Sequence, residues 1–198
     1  MFNPGIIGFI FALVVVIIFL YNRFIVLRQR VKNAWSQIDM LLIRRAELVP
    51  ALVETVKTYA RHEQDVFINM TIARNMVEVA ATVEDKAEAE TDMTKSLKGL
   101  FAVVENYPEL KADRNFLSLQ NELRETENKI SVTRKFYNDT VQKYNTKIEM
   151  FPNNLLASLF KFEKAEYFNL SDKATRSIEI RKKKIIDKVE SEDKTKLS

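Results

Sequence analysis

Apolar residues are arranged in two different ways along this chain. Ile6 to Tyr21 (IIGFIFALVVVIIFLY) is nearly solid Ile, Val, Leu and Phe, whereas the later residues carry their apolar positions at helical spacing. Val31, Trp35, Ile38, Leu42, Val49, Leu52, Val56, Tyr59, Val66, Met70, Ala73 and Val77 recur in alternating steps of four and three. Arg45 and Glu63 occupy the two missing places. A mean repeat of about 3.5 residues marks a seam packed against other helices in coiled-coil style. Pro50 interrupts it without shifting the phase; it removes one backbone hydrogen bond and crowds the preceding turn, which predicts a kink or break near residues 46–50.

A second segment runs from about Glu84 to Glu105, with Met93, Leu97, Leu100 and Val104 in one phase. Thr82 followed by Asp85 predicts a capped start, and Asn106-Tyr107-Pro108 predicts the end. A third runs from Asp113, a plausible N-cap, to Met150. Its seam is Phe116, Leu119, Leu123, Thr126, Ile130, Thr133, Tyr137, Thr140 or Val141, Tyr144, Ile148 and Phe151, and Pro152 stops it. Such a helix is about 57 Å long and needs partners to hide its stripe. Residues 153–168 are apolar and aromatic enough to cap one end of a bundle. With three glycines, four prolines and no period-two runs, the chain reads as all-α. The expected architecture is an N-terminal transmembrane helix continuous with a long antiparallel up-and-down four-helix bundle, then a charged C-terminal tail. The domains are residues 1–22 (anchor), 23–168 (helical bundle) and 169–198 (tail, flexible or a surface helix).

The apolar opening decides the broad class. Met1 to Asn22 carries no charged side chain, and an apolar helix of about 20 residues crosses a 30 Å hydrocarbon core. Tyr21 is placed at the headgroup level and Arg23 can snorkel, with Arg28, Arg30 and Lys32 completing a basic membrane-interface set. A cleaved secretory signal would want a basic start and a small-residue cleavage site, and neither is legible here. A buried core helix would need an equally apolar partner. The segment therefore reads as a retained single-pass anchor. All nearby Lys and Arg lie on its C-terminal side, which predicts the N-terminus outside and the rest in the cytoplasm of a bacterial cell or organelle membrane. No glycine or proline separates Ile10 from Val49, so the membrane helix is expected to run straight into the first bundle helix.

Charge narrows the partners. The net charge is +4, and residues 23–32 alone carry four basic residues and no acid. The tail holds 9 basic and 6 acidic residues, which leaves residues 33–168 with 18 basic against 21 acidic. The basic surplus thus sits beside the bilayer and in the tail rather than on the folded part, and no nucleic acid partner is expected. The tail stretch Arg176 to Glu190 could form an amphipathic helix touching lipid through Arg181, Lys182, Lys183 and Lys184. A solvated tail is the plainer reading.

The catalytic inventory is thin. His62 is the only histidine and there is no cysteine, so nucleophile–histidine chemistry would have to pass through that one residue. No Glu-x-x-His pairs suggest a metal-bearing bundle, and no glycine-rich loop could cradle a phosphate. No cofactor, metal or catalytic residue is expected. Two features exceed a plain solvated surface. One is polar residues in or beside the seam, namely Arg45, Glu63, Thr126 and Thr133, with Asp39, Arg44 and Glu127 close by. Buried polar groups of this kind must be paired, and in bundles they often fix register. The other is Tyr137-Asn138 and Tyr144-Asn145, the same pair seven residues apart and so on one helix face.

These residues carry a resemblance. The chain resembles the LemA family of bacterial membrane-anchored helical proteins. The likeness lies in Tyr21-Asn22-Arg23, Ala34-Trp35-Ser36-Gln37-Ile38-Asp39, Arg44-Arg45 and the run Leu48 to Lys57. It continues through Tyr59-Ala60, His62-Glu63, Tyr107 to Ala112, Leu119-Gln120, Leu123, Glu125-Thr126-Glu127, Ile130, Arg134, Tyr137-Asn138, Tyr144-Asn145, Phe151-Pro152 and Tyr167-Phe168. It covers about residues 21–168 and departs around residues 72–104 and in the tail. The resemblance implies a four-helix bundle on one N-terminal anchor and no known reaction. Family members include proteins of the magnetosome membrane, and the family is associated with envelope stress and membrane proteases. The expected function is non-enzymatic: a membrane scaffold or membrane-organising protein that forms a homo-oligomer and meets lipids and a membrane or cytoplasmic protein partner. The alternative is a module that binds an extended peptide or lipid. The expected interaction face comprises Trp35, Asp39, Arg44, Arg45, Tyr137, Asn138, Tyr144 and Asn145.

Overall fold

In a computed structural model, residues 4–169 are described, and no strand occurs among them. The all-α class is therefore the observed one. The helices are α1 (Pro4–Glu47), α2 (Val49–Tyr59), α3 (Gln64–Val79), α4 (Val83–Val104), α5 (Pro108–Lys111), α6 (Arg114–Glu149) and α7 (Asn153–Leu159). The expected tail contact at Arg181–Lys184 lies outside the described residues.

Helix α1 is 44 residues long and unbroken from the apolar segment into the amphipathic one, so the 22/23 boundary falls inside a continuous helix. Its apolar part is open to the surroundings: Phe9, Phe11 and Phe19 are each at least 65% exposed. The interruption caused by Pro50 is a single residue, Leu48, which keeps helical dihedrals (φ −76°, ψ −20°), and the ladder resumes at Leu52 N–H to Leu48 C=O. Pro50 sits in the first turn of α2, where a missing N–H costs nothing within the helix.

The seam of residues 31–77 is cut a second time. Between α2 and α3 the chain turns at Ala60–Glu63, with Ala60 at φ −120°, ψ 54°. Arg61 and His62 are exposed there, so the lone histidine lies in an interhelix turn rather than on a helix. The signal was the missing seam residue at Glu63, a polar place where the apolar stripe lapses.

The predicted starts hold for local reasons. The Asp85 N–H donates to Thr82 Oγ1 at 3.0 Å, and Glu84 and Asp85 put negative charge at the positive end of α4. The Phe116 N–H donates to Asp113 Oδ1 at 2.9 Å, capping α6. The end of α6 differs from expectation. The helix stops at Glu149, and Phe151 is 79% exposed instead of closing the seam.

The chain packs as two units. One combines Met1–Ile38 with Val132–Tyr167; the other combines Asp39–Ser131 with the stretch beginning at Phe168. In the first, α1 and α6 run antiparallel, with the rings of Trp35 and Tyr137 5.6 Å apart and Arg28 near Tyr144. Phe24 is fully buried against Phe162 at 5.2 Å. In the second, α3 and α4 form a helical hairpin over a short connection, around a core that includes Leu42, Leu52, Met70, Met93, Leu100 and Leu110. Each fully buried side chain of this size contributes about 1.5–3 kcal/mol.

Candidate functional site

The seam of α4 extends backwards from Met93 by steps of three and four, onto Glu90 and Lys86. Both are buried, 6% exposed each. They face Arg45, a seam position of α1, and Asp39 beside that seam, in the second unit. Arg45, 5% exposed, places Nη1 3.0 Å from Glu90 Oε1 and 2.8 Å from Glu127 Oε2. One guanidinium thereby ties α1 to α4 and to α6, a use suited to its several donors in a rigid fork. A turn away on the same two helices, Lys86 Nζ lies 2.7 Å from Asp39 Oδ1. The Thr94 hydroxyl is 3.4 Å from Glu90 Oε1. Thr126 is buried as the seam predicted. Removing Arg45 would leave the buried Glu90 carboxylate without its guanidinium in low dielectric, so the pairing of these helices through it is costly to halve.

Two carboxylates of α6 divide their work. Glu127 reaches Arg45, whereas Glu125 pairs on the surface with Lys129 at 2.6 Å, and that hydrogen bond holds the Glu125 carboxyl below its ordinary range. On α2, Tyr59 donates to Asp113 Oδ2 at 3.3 Å; the negative charge of Asp113 raises the tyrosine's pKa. Asp113 thus caps α6 with one oxygen and holds α2 with the other.

The first unit contains a different arrangement. Tyr137 and Tyr144 are each 2% exposed, and their hydroxyls donate to the backbone carbonyls of Glu166 (2.7 Å) and Glu163 (2.9 Å). Asn145 completes the grip. Its Nδ2 donates to Ala165 C=O and its Oδ1 accepts from Ala165 N–H, both at 2.9 Å. Spacings of seven and eight on α6 thereby read out an extended backbone, residues 163–166, as a neighbouring strand would. Three members of the repeated Tyr-Asn pair, Tyr137, Tyr144 and Asn145, thus hold a segment of the chain's own backbone. Of the expected interaction face, the two tyrosines and Asn145 are therefore interior. Burial pushes the Tyr137 hydroxyl up to about 12, with the nearby Glu166 charge acting in the same direction. Burial likewise raises Tyr144, opposed by Arg28 and helped by Glu163.

The bound strap reaches the grip through a defined turn. Lys161 takes a left-handed conformation (φ 54°), its N–H donates to Ser158 C=O at 3.2 Å, and the Phe162 N–H donates to Ala157 C=O at 2.8 Å. This pair of bonds is the Schellman closure that ends many helices, with lysine where glycine is usual. Phe162, just before the strap, packs on α1: its ring lies 5.8 Å from that of Tyr21, and the Arg28 guanidinium stands 5.4 Å over it.

The eight residues of the expected interaction face are shared between the two units. Trp35 packs on Tyr137 in the first unit, where Asn138 is half-buried. Asp39 and Arg45 belong to the ion network of the second, and Arg44 is exposed. Of the membrane-interface set, Arg23, Arg28, Arg30 and Lys32 are exposed, and Tyr21 packs edge-on against Phe160. Sequence reasoning missed Lys86 and Glu90, although extending the Met93 seam backwards would have found them. It also missed the strap, because an extended segment held by side chains has no periodicity of its own.

Comparison with known proteins agrees with this architecture. The LemA family profile matches residues 34–181. Magnetosome protein MamQ 2 of Paramagnetospirillum magneticum is 25% identical over 183 residues, covering 79% of this chain and 67% of that protein. Magnetosome protein MamQ of Magnetospirillum gryphiswaldense is 23% identical over 184 residues, 80% and 68% of the two chains. Protein LemA of Metamycoplasma hominis is 25% identical over 149 residues, 73% and 67%. With one exposed helix long and apolar enough to cross a bilayer, this is a membrane-associated helical protein. On the extent of the profile match, the chain belongs to the LemA family.

Proposed function

We propose that the chain is a non-enzymatic, single-pass membrane scaffold that self-associates through its helices and organises the bilayer or the proteins within it. The observation that carries this reading is how three of the four buried charged residues among those described are used. Arg45, Lys86 and Glu90 are committed to other helices, where they set register, rather than aimed into a cavity where a substrate could react. The name of the MamQ relatives, magnetosome proteins, fits a role in membrane organisation. Val132 and Phe136, four residues apart on one face of α6, are 72% and 55% exposed, which offers a second copy an apolar stripe. By the distribution of Lys and Arg, the N-terminus lies outside and the helical part in the cytoplasm.

The chain has no cysteine, so single cysteines report cleanly. Val132→Cys and Phe136→Cys proteins, oxidised in native membranes, are expected to give disulfide-linked dimers, and the wild type to run above monomer size in mild detergent. A strict monomer in both experiments would overturn the self-associating scaffold. Cysteines at Phe2 and Ser198 should label from opposite sides of the membrane; labelling of Ser198 from outside would reverse the topology.

A further inference from the structure

The first unit exposes an apolar cluster that its fold does not use. Phe151, Leu155, Leu159 and Phe160 are 79%, 63%, 70% and 42% exposed, and Met150 beside them 52%. On α7, Leu155 and Leu159 are four residues apart and share the outward face, while Asn153 and Ala157, also four apart, are buried on the inward one. The short helix is docked by its inner face and presents leucines on its outer one. Monomeric soluble surfaces rarely gather so much apolar area without a partner.

What lies beside this cluster names the partner. Phe160 is edge-on to Tyr21 with ring centroids 5.0 Å apart. Tyr21 is the last residue of the apolar stretch of α1 and precedes Arg23, the position where a tyrosine marks the boundary between acyl chains and headgroups. A contact of that length brings Phe160, which directly follows α7, to the same depth. Cations accompany it: Arg28 stands over Phe162, Lys161 is exposed, and Lys164 pairs with Glu149. Apolar side chains beside cationic ones, continuous with a membrane span, are the chemistry of a segment lying in the interfacial zone of a bilayer.

We propose that residues 150–160 form a second, monotopic membrane contact, with Phe151, Leu155 and Leu159 inserted at the acyl–headgroup boundary of the leaflet that holds Tyr21. The strap of residues 163–166, clamped by Tyr137, Tyr144 and Asn145, holds this wedge in place. The inference rests on α1 being a span, and the test separates the two.

Full-length proteins carrying Phe11→Cys, Leu155→Cys, Leu159→Cys or Leu117→Cys, each labelled with an environment-sensitive fluorophore, are reconstituted in vesicles of zwitterionic and anionic phospholipid. Leu117 serves as an exposed leucine of the other unit. Labels at 155 and 159 should emit to the blue of that at 117 and be quenched most by lipids spin-labelled near the headgroup. The label at Phe11 should be quenched most by lipids spin-labelled near the acyl terminus. Quenching at Phe11 with none at 155 and 159 would overturn the wedge and leave the span standing. Blue emission at 155 and 159 without lipid quenching would assign the cluster to a protein contact and also overturn it. Absence of quenching at all four positions would remove the span, and the wedge with it.

Discussion

Arg45 and Glu90 meet at 3.0 Å from two different helices, with their side chains only 6% and 8% exposed. A pair so placed is a poor source of net stability, because desolvation consumes most of the attraction, but a costly one to halve. Arg45→Met should destabilise the protein by about 3–5 kcal/mol, since it strands Glu90 in the interior. Arg45→Met with Glu90→Leu should recover most of that loss. Glu127→Ala should cost less than about 1 kcal/mol, as its side chain is 44% exposed. Thermal unfolding in detergent, followed by circular dichroism as a double-mutant cycle, measures all three. Additive losses would show that the pair is not coupled.

Asn145 offers a separate handle on the strap. Asn145→Ala removes two hydrogen bonds and strands both backbone groups of Ala165, an expected loss of about 2 kcal/mol. Tyr144→Phe, which keeps the ring and removes one bond, should cost about 1 kcal/mol. Local release should be visible before global unfolding. Trypsin is expected to cut at Lys161 or Lys164 faster in the Asn145→Ala protein, and unchanged cleavage would show that the strap is held by something else.

Alkaline pH tests the burial of Tyr137. Its hydroxyl titrates at about 12 when folded, against about 10 for an unfolded tyrosine. A folded pKa above the unfolded one stabilises fully below pH 10 and is lost as pH rises through about 12. Stability should therefore fall between those limits, with late tyrosinate absorbance. Tyr137→Phe should remove that part of the decline. Retention of the full decline in the variant would assign it to other groups.

Two backbone substitutions of opposite kind should both stabilise. Lys161→Gly relieves a left-handed residue at a helix end and should gain about 1 kcal/mol. Gly99→Ala lies inside α4, where an added Cβ meets nothing within 4 Å, and should gain about 0.5–1 kcal/mol. Melting temperatures in detergent check each one, and a fall in either would point to a contact made by that position.

Much of this architecture is local in origin, and so was legible from the chain. The apolar run of α1, the caps at Thr82 and Asp113 and the seam of α6 each depend on neighbours within a few residues. Family membership followed from the same stretches. Helix continuity from Ile10 to Glu47 was readable because no glycine or proline interrupts that stretch. The meaning of the polar seam residues was not. Arg45 could be seen to need a partner, but Glu90 is 45 residues away and Glu127 farther still, and no spacing rule joins them. The Tyr-Asn repeat likewise could be read either as core and flank or as a binding face. Its partner is a strap without periodicity, whose backbone only the folded chain brings against Tyr137, Tyr144 and Asn145. Periodicity encodes which side of a helix is buried; what is buried against it is a matter of long-range packing, and that only the tertiary structure decided.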